Sequence, residues 1–177
     1  MSSASNKLEL AFWAVIPAVF TALLLVVYLA PKHMSGLGSF MPLLFVIPMF
    51  YWRVNEPRDM PYWFVFAVGL VMDSTNGQPL GLTSLLNVVF LAMVEAQHKY
   101  IAKEGFMIKW GYFAALLAAV ETLHWLLLFF FYARVPTVLP AAIQWFFTVC
   151  CYPLLHQLCE GLYRYISQQR WHSMHGR

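Results

Sequence analysis

Charge is what this sequence has least of. Only 11% of its 177 residues are Asp, Glu, Lys or Arg, where a soluble domain spends about a quarter. With 61% hydrophobic residues, an ordinary water-soluble domain is excluded. The net charge of +3 comes from scattered lysines and arginines that form neither a run nor a stripe, so no nucleic-acid surface is indicated. Cysteine is scarce too. Cys150, Cys151 and Cys159 all fall in the last apolar run, which excludes an extracellular disulfide framework by position and leaves them as small core residues. No Gly-x-Ser-x-Gly elbow is present, and Ser84 has no histidine at its depth, which disfavours a hydrolase. A G-x-x-x-x-G-K-[ST] phosphate cradle is also missing, so nucleotide-driven work would need a partner. Repeats and low-complexity segments are absent, and connections of roughly 8 to 10 residues leave no room for a soluble domain.

What is there is grease. Six apolar segments can be cut: Leu10 to Leu29, Gly36 to Trp52, Pro61 to Met72, Leu82 to Ala96, Phe106 to Tyr132 and Val138 to Tyr163. The first has the roughly 20 residues that a bilayer core demands. It lacks a small-residue cleavage site before Pro31, so it reads as a retained helix rather than a signal peptide. The expectation is an all-α integral membrane protein, a six-transmembrane-helix bundle. Residues 1–9 form a cytoplasmic N-terminus, 10–163 a single membrane domain, and 164–177 a cytoplasmic tail. With both termini inside, Lys7, Arg53, Arg58, Lys99, Lys103, Lys109, Arg164, Arg170 and Arg177 lie on the inner side. Only Lys32 and Arg134 lie outside, the bias that the positive-inside rule requires. Tyr51, Trp52, Tyr62, Trp63, Tyr100, Trp110 and Tyr163 fall at the inner interface, and Tyr28 and Tyr132 at the outer one, as aromatic belts do.

Between the third and fourth segments the chain turns polar. Merging these segments into one span would bury an unsatisfied turn in lipid, so the stretch reads as an outward-facing hairpin. Asn76-Gly77 and Pro79 are turn formers. Gly69 permits a close helix approach, and Gly81 gives the backbone freedom needed before the fourth helix. Thr83 and Ser84 are candidate caps for that helix. Asp73 sits where the dipole of its own helix repels it. It therefore points at donors elsewhere, the free N–H groups opening the fourth helix being nearest, or it is a solvated turn residue.

The ordered set Pro42-x-x-Leu, Tyr51-Trp52, Pro57, Gly69-Leu70-x-x-Asp73 and Gly77-x-x-Leu80-Gly81 resembles the signature of the rod shape-determining protein MreD family. Length, span number and the long apolar C-terminal pair are similar too, although the first, fifth and sixth helices match in hydropathy more than in residues. The resemblance implies a non-catalytic, multi-pass inner-membrane component of the bacterial elongation machinery, without cofactors. It would help direct side-wall peptidoglycan synthesis and cell shape. It also implies MreC as the direct partner, with MreB, RodA and a penicillin-binding transpeptidase reached through the complex. Gly69, Asp73, Asn76, Gly77 and Gly81 become the partner-binding motif. In fold, the family resembles the substrate-binding subunits of energy-coupling-factor vitamin transporters, and a small-molecule transporter subunit is the alternative function.

Ionisable groups inside spans are costly and each needs a reason. Glu121 and His124 share a face of the fifth helix, and Gln144 on the sixth lies at similar depth, which suggests an interhelical polar clamp worth about 0.6 kcal/mol. In a transporter the same three residues would line the substrate cavity. Glu121-x-x-His124 also copies half of a di-iron motif. The other half is wanting, because Glu95, His156 and Glu160 lie near the inner ends of their helices, so no metal is expected. Those three residues and His98 form an inner-leaflet cluster or, more simply, snorkel to the interface. Ala14, Ala18 and Ala22 form a packing ladder on the first helix, interrupted by Pro17, with Ala114, Ala115, Ala118 and Ala119 as a second on the fifth.

Overall fold

The two longest apolar runs each form one helix. In a computed structural model, which describes residues 2–30, 41–76, 79–132 and 138–175, these are α5 (Phe106–Tyr132) and α6 (Val138–His175). They follow α1 (Ser2–Leu29), α2 (Val46–Asn55), α3 (Tyr62–Asn76) and α4 (Leu82–Ile101), with a 3-10 turn, Pro57–Asp59, between α2 and α3. No strand occurs among the described residues. Phe106–Phe130 and Val138–Gln169 are long and apolar enough to cross a membrane, and Val15–Leu29 is a shorter apolar stretch.

Packing closes a ring. α1 touches α3, α3 touches α4, α4 touches α5, α5 touches α6, and α6 returns to α1. α2 stands within, against α1, α4 and α6. Every residue from Val46 to Val54 is buried, as a helix apolar on all sides except at Arg53 must be. Phe50 is the hub of its aromatic contacts, with the Phe113 ring 5.3 Å and the Tyr152 ring 6.0 Å away. Two indoles fasten α5 to α6: Trp110 Nε1 donates to the Val149 carbonyl and Trp145 Nε1 to the Ala114 carbonyl, each at 3.0 Å.

The helix expected from Gly36 to Trp52 is shorter than its apolar run. Residues 36–40 lie outside the described residues, and 41–45 are not helical, so α2 begins at Val46. α6 makes this possible by satisfying the irregular backbone. Thr148 Oγ1 accepts from the Leu43 N–H at 2.9 Å and donates to the Gln144 carbonyl at 2.7 Å. The Gln144 amide donates to the Met41 carbonyl at 2.9 Å. Non-helical backbone in an apolar setting is tolerated only where protein groups complete its hydrogen bonds. Thr148→Val keeps the shape but strands the buried Leu43 N–H. We expect a loss of about 1–2 kcal/mol, measured as a lowered thermal midpoint that Thr148→Ser largely restores.

Other boundaries also move. α1 continues back through the expected N-terminal segment to Ser2, and α6 runs past Tyr163 to His175, so the described part of the expected tail is helical. Pro17 is accommodated within α1, with Thr21 Oγ1 donating to its carbonyl at 2.8 Å. Three aromatics assigned to the interfaces are core residues instead. Tyr51 and Trp52 are buried with α2, Trp52 lying 5.8 Å from the Tyr163 ring, and Tyr28 packs on Phe45 at 5.6 Å. Trp63 and Tyr100 are exposed. The cysteines divide: Cys159 is buried, whereas Cys150 is exposed and is no core residue.

Arg53, expected at the inner rim, is buried where α2 ends. Its guanidinium donates to the carbonyls of Pro57 at 2.9 Å and Met60 at 3.2 Å, covers the Tyr62 ring at 4.4 Å, and pairs with Glu95. Tyr62 Oη also donates to Glu95. Glu95 therefore neither snorkels freely nor joins Glu160, which pairs with Arg164 one helical turn away. A guanidinium suits this place because its planar fork serves several oxygens at once.

Candidate functional site

The hairpin between α3 and α4 is built from close contact. Gly69 faces the backbone of Ser84, and a Cβ added there would lie 2.3 Å from Ser84 Cα and 2.6 Å from its nitrogen. Only hydrogen fits. This approach brings the last turn of α3 over the first turn of α4. Asp73 lies in that last turn and is fully buried. One carboxylate oxygen accepts from the Gly81 N–H at 2.8 Å and the other from the Thr83 N–H at 3.0 Å.

Asp73 is thus not a solvated turn residue. It caps α4 from another helix, supplying the acceptor that a helix start lacks and placing negative charge at the positive end of its dipole. Thr83 and Ser84 were the expected caps. The N-cap position belongs to Gly81, which makes no side-chain cap bond, and Ser84 Oγ is buried without a partner. Gly81 has φ +97°, a left-handed conformation that glycine alone adopts without strain. Asn76 closes α3, and Gly77 lies outside the described residues.

Beneath the hairpin is a cavity of about 310 Å³, lined among others by Tyr28, Asn76, Thr83, Asn87, Glu121, His124 and Gln144. The intramembrane trio expected from sequence therefore shares one wall. Gln144, however, directs its amide nitrogen to the Met41 carbonyl and, at 3.4 Å, to the Tyr28 hydroxyl. It ties α6 to α1 and to the approach of α2. Ala18 and Ala22 are partly buried on α1, while the side chain of Ala14 lies outside the described residues; Ala115 and Ala119 on α5 are exposed. No group of three or more His, Cys, Asp or Glu able to hold a metal occurs among the described residues.

A family model described as rod shape-determining protein MreD matches residues 9–164. The chain belongs to the MreD family. No curated protein and no solved structure matches it. The matched span contains the hairpin, the cavity wall and the helical ring except for the first turns of α1 and the last turns of α6. MreD membership makes this a membrane protein with a part in rod-shape determination, and the family is a shape-determining structural component rather than a known enzyme. Sequence reasoning had missed Asn87, Thr148 and the Arg53–Glu95–Tyr62 group. Asn87 was within reach, since it follows Thr83 by one helical turn on an otherwise apolar face.

Proposed function

We propose that this MreD chain is a non-catalytic scaffold of the side-wall elongation complex, held in the inner membrane with both termini cytoplasmic. Its direct partner is MreC, and MreB, RodA and a penicillin-binding transpeptidase are reached through the complex. The family match over residues 9–164 carries this reading. The hairpin supplies its physical form: Asp73, Gly69 and Gly81 lock α3 against α4, so the paired helices offer a partner's span a fixed face. Exposed apolar residues lie along that pair, among them Phe66, Leu70, Val71 and Leu85. The orientation follows the charge bias, with Arg58 and Lys103 at the end opposite the hairpin.

Affinity purification of the tagged chain at native expression in mild detergent, followed by quantitative mass spectrometry of every co-purifying chain, tests the proposal. MreC recovered together with wall-synthesis enzymes supports it. The rival reading, a small-molecule transporter subunit, is favoured by the polar cavity. It predicts an ATPase pair in the same eluate and no wall enzymes, and that result would replace the scaffold.

A further inference from the structure

The cavity under the hairpin has chemistry that scaffolding does not use. Its volume of about 310 Å³ is at the lower end for small-molecule sites, roughly 300 to 1,000 Å³. Its wall holds one acid, Glu121, and no lysine or arginine among the described residues. No hydrogen bond from a described residue reaches that carboxylate. Asn87 is only 9% exposed, and its amide nitrogen has no partner. Both groups are therefore left wanting, and their wants are complementary: the acid takes a donor or cation, the amide an acceptor. Asp73 lies above them, but its two oxygens are engaged by Gly81 and Thr83.

We propose that this cavity binds a small amine that also carries a hydrogen-bond acceptor, with the ammonium against Glu121 and the acceptor toward Asn87. An ammonium would supply the counter-charge that an intramembrane carboxylate requires. Anionic ligands are disfavoured by the same carboxylate. Glu121 also borders a mainly apolar groove of about 420 Å³ between α5 and α6, lined by Ala118, Ala141, Ala142 and Trp145. The amine therefore has two sources, a dissolved solute or the headgroup of a lipid whose tail lies along that groove. The assignment rests on the cavity and not on the scaffold role.

Cysteine chemistry tests it. The full chain carrying Cys150→Ser, Cys151→Ser and Cys159→Ser receives one reporter, Thr83→Cys or Val120→Cys, and is placed in phosphatidylglycerol nanodiscs. Reaction with 2-aminoethyl methanethiosulfonate is compared with reaction with the 2-sulfonatoethyl reagent. Each rate is divided by that at the exposed position Leu80→Cys. The cation should react about tenfold faster or more, the scale of a local field in a low-dielectric cleft. Glu121→Gln should abolish the preference. Asn87→Leu should keep the preference and remove saturable protection by the amine. Protection by free ethanolamine assigns a dissolved solute; protection that appears only when phosphatidylethanolamine is added assigns a headgroup. Equal rates for the two reagents, or no reaction at either reporter, overturn the site. So does a cation preference that neither amine source slows, which would leave a water-filled vestibule.

Discussion

Gly69→Ala is expected to destabilise this protein by about 3 kcal/mol or more, although alanine is the better helix former by about 1 kcal/mol. The sign is decided by what the methyl group meets. Its nearest neighbours would be Ser84 Cα at 2.3 Å and Ser84 N at 2.6 Å, backbone atoms that no rotamer change can move aside. α3 and α4 must separate, and the hydrogen bonds from Gly81 and Thr83 to Asp73 separate with them. Because the clash is with backbone, the second change Ser84→Gly should not rescue it. Thermal unfolding of the purified protein in one detergent, followed by tryptophan fluorescence, measures the effect. An unchanged or raised midpoint for Gly69→Ala would show that the helices do not approach this closely.

Asp73→Ala should follow closely, at about 2–4 kcal/mol. Loss of an ordinary cap costs about 1 kcal/mol, but Asp73 accepts from two N–H groups in a buried place, and each stranded donor adds about 1–3 kcal/mol. Asp73→Asn retains one accepting oxygen and turns an NH₂ group toward the other donor, so its stability should fall between the two. Under the scaffold proposal, Asp73→Ala also reduces recovery of MreC while leaving membrane insertion intact. Normal recovery from normally expressed Asp73→Ala protein would sink the hairpin as the capture surface. An order in which asparagine equals aspartate would remove the charge from the capping argument.

Much of the hairpin was legible in the chain because turn chemistry is local. A carboxylate at a helix C-terminus conflicts with its own dipole, and the conflict pointed to Asp73 seeking N–H groups across the turn. Gly69 and Gly81 were legible for the same reason, each answering a steric demand close in sequence. Long-range substitutions of one partner for another were not legible. Thr148 completes the backbone at Leu43 from 105 residues away, and nothing in a local window distinguishes that threonine from one bonded only to its own helix. The same limit explains α2. Its apolar run implied a span, whereas burial on every side came from five surrounding helices that periodicity in one segment does not reveal. Arg53 was counted as a topological charge because the sequence holds no sign that Pro57, Met60 and Glu95 converge on it.

The buried α2 also bears on how the chain is assembled during synthesis. Ten residues give a rod of about 15 Å, half the thickness of a hydrocarbon core, with a buried arginine at one end. Such a segment has little tendency to enter lipid by itself. The donors and acceptors that complete its approach, Thr148 and Gln144, are on α6, which leaves the ribosome long after α2. α2 is therefore expected to settle only when α6 arrives and the ring can close around it. Maturation is therefore expected to finish after insertion, and a chain stopped before α6 should leave its innermost helix as its least settled one.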